Sequence, residues 1–101
     1  MSISSQLSNK NTALVITVDG RFDASLLDEF RVSYENVPDS VVTYIVDLKR
    51  TEHLDSSALG MLLVLRDFAG GDKSKVEIIN ASDEVKKIFT ISSFEKLFNV
   101  Q

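Results

Sequence analysis

No cysteine occurs anywhere in the 101 residues, which excludes disulfides and thiolate-bound metals. The single histidine, His53, follows the polar stretch Lys49-Arg50-Thr51-Glu52 and reads as a solvated residue; alone, it makes no zinc site. Proline is equally scarce, with Pro38 the only one, and no linker, internal repeat or low-complexity segment interrupts the chain. Long apolar runs are missing too. The longest, Ala58 to Leu65, is broken by Gly60 and falls far short of the roughly 20 residues of a membrane span. The start, Met-Ser-Ile-Ser-Ser-Gln, has neither the basic residues nor the apolar run of a signal peptide. A cytoplasmic address and no membrane partner are therefore expected. The serine-hydrolase elbow Gly-x-Ser-x-Gly is absent, and Gly70-Gly71 is not followed directly by the lysine of a phosphate loop. Without a nucleophile–base pair at recognisable spacing, the chain is not expected to be an enzyme or to hold a cofactor or metal. Its net charge of -4 argues against nucleic acid and favours a basic protein partner.

What remains is the composition of one folded domain over residues 1–101. At 44% hydrophobic and 26% charged, the chain is too apolar and too balanced in charge for disorder. Thr12 to Val18 is a β-branched run closed by Asp19-Gly20, hence a strand and a turn. Ile3 to Leu7 is a weaker strand, turned antiparallel into the next by Asn9-Lys10-Asn11. Asp23 can cap a helix with Leu27, Phe30, Tyr34 and Val37 on its apolar stripe, broken by Pro38-Asp39-Ser40. Val41 to Leu48 suits a central strand covered on at least one face.

Asp55 can cap a second helix running to about Ala69 and stopped by Gly70-Gly71. Lys75 to Ile79 is a short strand. Ser82 can cap a third helix whose charges run from Asp83 and Glu84 to Lys86 and Lys87, with the helix dipole. Phe94 to Val100 fits either a last strand or a helical turn. The order β-β-α-β-α-β-α contains two crossovers, which require parallel strands with helices packed on the sheet.

The second helix carries the informative stretch Asp55-Ser56-Ser57-Ala58-Leu59-Gly60-Met61-Leu62-Leu63. At about 100° per residue, Ala58, Met61, Leu62, Leu65 and Ala69 face the sheet. Ser56, Gly60, Leu63 and Asp67 face away, with Ser57 on a flank. A glycine inside a helix costs on the order of 1 kcal/mol relative to alanine, and an outward leucine gains nothing from the core. Both make sense if this face docks onto another protein. Phosphate on Ser56 would bring about -1.5 to -2 charges to the mouth of that face. Free amides at the helix start could accept the phosphate and spare the fold.

Blander readings stand beside this one. Asp-Ser-Ser is also an ordinary helix start that needs no phosphate. Gly60 could serve close helix–sheet packing, the C-terminal tail could cover Leu63, and Asp23 could be an N-cap alone. Asp47 is expected to end its strand by bonding nearby backbone groups.

Three segments carry a family resemblance: Gly20-Arg21-Phe22-Asp23, Val42 to Leu48, and Asp55-Ser56-Ser57-Ala58-Leu59-Gly60. Over nearly its whole length the chain resembles the STAS domains of bacterial anti-sigma factor antagonists. The resemblance implies an α/β fold, a mixed sheet of four to five strands with helices mainly on one face. It also implies partner switching. An unphosphorylated antagonist binds an anti-sigma factor, often itself the serine kinase; phosphorylation of the first serine, here Ser56, releases it, and a serine phosphatase reverses the mark. The partner-binding residues carried over are Asp23, Ser56, Ser57 and Gly60; the reading of the helix adds Asp55 and Leu63. Ala58 stands where the usual motif has glycine. The alternative function is a constitutive accessory subunit of a transporter or signalling assembly, not phosphorylated.

Overall fold

Apolar and β-branched residues at alternate positions make Ala13–Val18 a strand with one face buried, and the same alternation recurs in Thr43–Asp47 and Val76–Ile79. The computed structural model describes residues 2–101. Its strands are β1 (Ile3–Leu7), β2 (Ala13–Val18), β3 (Gly20–Phe22), β4 (Thr43–Asp47), β5 (Thr51–Leu54), β6 (Val76–Ile79) and β7 (Asn99–Val100). Its helices are α1 (Leu27–Glu35), α2 (Ser56–Phe68) and α3 (Asp83–Ile91). Five strands form one mixed sheet in the order β1-β2-β4-β6-β7. β1 runs antiparallel to β2, and the remaining pairs are parallel, as the crossovers require. The α/β fold with a five-stranded mixed sheet is the expected one.

In register, Val18 faces Ile3, Leu14 faces Tyr44, and Tyr44 faces Val76. These side chains share one face with Ile16, Val46 and Ile78, and the helices bury it through Phe30, Tyr34, Leu62, Leu65, Val85 and Phe89. The opposite face, with Val15, Ile45 and Glu77, stays half-buried.

Several boundaries differ from expectation. The helix after Asp23 begins as a 3-10 turn, Ala24–Leu26, before α1 proper. The tighter turn advances the stripe by one residue, so Leu26 is buried and Leu27 is 54% exposed. The ambiguous tail is both things at once: a 3-10 turn at Phe94–Lys96, then β7, the fifth strand. The largest miss is a second, two-stranded parallel sheet of β3 and β5, in segments expected to be turn and loop. His53 therefore lies in a strand rather than a loop, although it is exposed as expected.

Candidate functional site

The small β3–β5 sheet builds the site. Gly20 leaves β2 at a φ of +87°, a conformation few side-chain-bearing residues adopt, and its amide donates to the Arg50 carbonyl at 2.9 Å. Buried Thr51 donates its hydroxyl to the Val18 carbonyl at 2.8 Å and roots β5 beneath the main sheet. From there the strands run in parallel to the pair Phe22–Leu54, both buried. The residues after this pair are Asp23 and Asp55, distant in sequence and neighbours in space; the Asp55 amide also reaches the Phe22 carbonyl, at 3.4 Å. Asp23 is thus brought next to Asp55, at the mouth of α2.

Each aspartate caps the turn or helix that comes next. Asp55 Oδ1 accepts from the Ser57 amide at 3.0 Å and the Ala58 amide at 3.2 Å. Its carboxylate is engaged in starting the helix. Asp23 Oδ1 accepts from both the amide and the hydroxyl of Ser25, and Oδ2 lies 3.6 Å from Arg21 Nε. The Ser25 hydroxyl, then its amide, hold the Asp23 carboxyl below its ordinary 3.8; desolvation opposes them, and Arg21 adds a smaller lowering effect. Asp23 is accordingly ionised at neutral pH and presents a fixed negative charge.

Ser56 is the first residue of α2, exposed, and no hydrogen bond engages its hydroxyl among the described residues. Ser57 is exposed beside it. The expectation that free amides await a phosphate needs correction. Asp55 already occupies those of Ser57 and Ala58, and Leu59 donates to the Asp55 carbonyl at 3.3 Å, which leaves the Ser56 amide without a partner among the described residues. A phosphate there would meet one amide and the carboxylates of two aspartates, so its charge would be projected outward.

The outward face of α2 is as derived from the helical period. Gly60 is exposed, and a Cβ added there would touch nothing within 4 Å, so close helix–sheet packing does not explain this glycine. Leu63 remains 37% exposed; the tail is held instead at Arg66, whose Nε donates to the Leu97 carbonyl at 3.2 Å. Ala58, where the motif usually has glycine, is fully buried, so that difference bears on core packing and not on the exposed face. Asp47 Oδ1 accepts from the Lys49 amide and from Asn80 Nδ2, the strand-ending role expected of it.

Sequence reasoning missed three residues. Val64, 57% exposed, and Phe68, 48% exposed, continue the flank of Ser57 at i+7 and i+11, and Leu27 of α1 stands beside Val64. Val64 and Phe68 lie just off the core stripe of α2, whereas Leu27 was expected on the stripe of α1. Phe68 is partly engaged, with its ring edge-on to Tyr34 at 5.0 Å. Among the described residues no acidic or histidine cluster could hold a metal, and no helix is long and apolar enough to cross a membrane.

Comparison with known proteins agrees with this geometry. The family described as Mlab, STAS domain, matches residues 5–99. A STAS-domain containing protein of Pseudomonas aeruginosa, PA14_20770, is 46% identical over 99% of both chains. Among solved structures, an anti-sigma factor antagonist from Mycobacterium paratuberculosis superposes with a TM-score of 0.75 at 18% identity, covering 98% of this chain and 85% of that one. The Bacillus cell fate determinant SpoIIAA in its phosphorylated form gives 0.71 at 18% identity, covering 98% and 90%. With the family match spanning almost every residue and so near a relative, the chain belongs to the STAS domain family.

Proposed function

We propose that this chain is an anti-sigma factor antagonist, a binding module without catalysis of its own, switched by phosphorylation of Ser56. Unphosphorylated, it holds an anti-sigma factor that is also its serine kinase; phosphorylated, it lets that partner go, and a serine phosphatase restores it. The observation that carries this reading is an exposed hydroxyl, unbonded among the described residues, at the first position of α2, opening onto a face with a glycine its own fold does not need and a leucine more than a third exposed. The fold shared with an anti-sigma factor antagonist and with SpoIIAA, itself described as an anti-sigma factor antagonist and solved in phosphorylated form, supports it.

The chemistry follows from placement. Asp55 and Asp23 already make the helix mouth acidic, so a partner seated there must offer basic or hydrogen-bond-donating groups. A phosphate would put about -1.5 to -2 charges and three more oxygens between that partner and the apolar Leu63 face, and the cost of desolvating them outweighs what groups placed to meet an unmodified hydroxyl can return. An effect of about 3 kcal/mol changes affinity by more than a hundredfold, enough to empty the interface while the fold stands. Asp55 and Ser57 build and flank the site; Asp23, Gly60 and Leu63 face the partner.

The test is affinity purification with Ser56→Ala and Ser56→Asp. The alanine form should retain a kinase partner in the presence of ATP, and the aspartate form should lose it. Identical bound proteins from the two forms would sink the proposal. Leu63→Glu should weaken the same complex by at least about tenfold with the melting temperature almost unmoved, read by calorimetry.

A further inference from the structure

A second surface lies at the free edge of β1. The Asp19 amide donates to the Ser2 carbonyl and the Ser8 amide to the Ala13 carbonyl, and the β1–β2 register between them has no irregularity. In an antiparallel ladder the bonded residues alternate, so the main-chain groups of Ser4 and Gln6 point into the sheet and those of Ile3, Ser5 and Leu7 point out of it. Among the described residues nothing else bonds these outward groups. The other edge, β7, has only two residues, a length that limits pairing. β1 has five, and its sequence Ile-Ser-Ser-Gln-Leu contains no proline, no charge and no bulge, the usual means of blunting an edge.

A groove of about 390 Å3 runs between this edge and α1, lined by Ile3, Ser5, Asp28, Glu29, Val32 and Ser33. Val32 is 57% exposed on its wall. Within it the Glu29 carboxylate is anomalous. Its Oε2 is shut off from solvent with no hydrogen-bond partner, and no lysine or arginine pairs with it among the described residues; the nearby Arg31 is taken by Asp28 and Glu35. A carboxylate without a cation is unfavourable there, and because Glu29 is only half-buried on the groove wall, an ammonium or guanidinium in the groove would offset its charge.

We infer that the β1 edge accepts an extended segment of a second protein as an added strand, its backbone bonding Ile3, Ser5 and Leu7, with apolar side chains at alternate positions against Val32 and a lysine or arginine at Glu29. Charge disfavours a second copy of this chain as the occupant, because β1 carries no basic residue to bring to Glu29. This surface is distinct from the α2 face and stands whatever the fate of Ser56.

The probe is a displayed library of random peptides about ten residues long, selected on the full chain. Enriched peptides should alternate β-branched residues and carry a basic one. With such a peptide bound, the amide protons of Ile3, Ser5 and Leu7 should exchange at least about tenfold more slowly, read by NMR. Ser5→Pro removes an amide that points away from the sheet and should abolish binding; if that variant does not fold, Val32→Lys on the groove wall should abolish it instead. Glu29→Gln should weaken the selected peptide at least about fivefold, and should not affect a version with its basic residue replaced by alanine. No enriched peptide, or binding indifferent to both Ser5→Pro and Val32→Lys, overturns the inference. So does concentration-dependent self-association that Ser5→Pro removes, which would give the edge to a second copy.

Discussion

The two strand-to-helix junctions, Phe22-Asp23-Ala24-Ser25 and Leu54-Asp55-Ser56-Ser57, are built alike and serve different ends. In each, a buried residue closes a strand, an aspartate leaves it in extended backbone, and that carboxylate accepts the amide two residues on at 3.0 Å. They differ beyond the aspartate. After Asp23 comes a 3-10 turn, and the hydroxyl of Ser25 is drawn back onto the cap. After Asp55 comes a helix of thirteen residues, and the hydroxyl of Ser56, where the first junction has Ala24, is bonded to nothing in the described chain. Both junctions have a capping aspartate; only the second has a free hydroxyl at the first position of a long, partly uncovered helix. The β3–β5 pairing sets the two junctions side by side, so the charge of Asp23 stands near the junction that carries the free hydroxyl.

The comparison can be broken at several points, and the largest effect belongs to Ser56. Ser56→Asp should reduce partner affinity by at least about a hundredfold, near 3 kcal/mol, with thermal unfolding almost unchanged; titration calorimetry beside a melting curve checks both halves. Next come the caps. Asp55→Ala strips two amides of α2 of their acceptor and should cost about 1–2 kcal/mol in urea unfolding. Asp23→Ala unseats only a 3-10 turn and should cost less than about 1 kcal/mol. Equal losses would mean the junctions do the same work. Gly60→Ala sharpens the contrast between fold and interface. With open space around the new Cβ it should stabilise the domain by about 0.5–1 kcal/mol while weakening the partner complex. The smallest effect concerns acid. Since the folded Asp23 pKa lies below 3.8, its contribution is present above that value and is lost as pH falls through the depressed folded value. Carboxyl NMR should find its midpoint below 3.8, and Ser25→Ala should move it upward.

Much of this was legible without coordinates because it is local. The caps at Asp55 and Ser82, the inward and outward faces of α2, and the order of the main strands follow from side-chain chemistry and periodicity over a few residues. The β3–β5 sheet was not legible. Its strands are three and four residues long and pair across the whole of α1 and β4, and Thr51 reads as polar loop until its hydroxyl is seen bonded to Val18. Leu27 reads as core because nothing local announces the single 3-10 turn that rotates the stripe. Val64 and Phe68 escape notice because apolar residues on a flank look like core until burial distinguishes them.

By itself, then, the sequence determined which residues cap, which face the core along α2, and which serine lies at the helix mouth, since each depends on neighbours one or two turns away. Only the tertiary structure decided that Asp23 joins that mouth, that the Thr51 hydroxyl roots β5 on Val18, and that β1 keeps an open edge over an unpaired carboxylate. Those outcomes depend on contacts between segments far apart in the chain, and periodicity carries no record of which distant partner a strand or a carboxylate will meet.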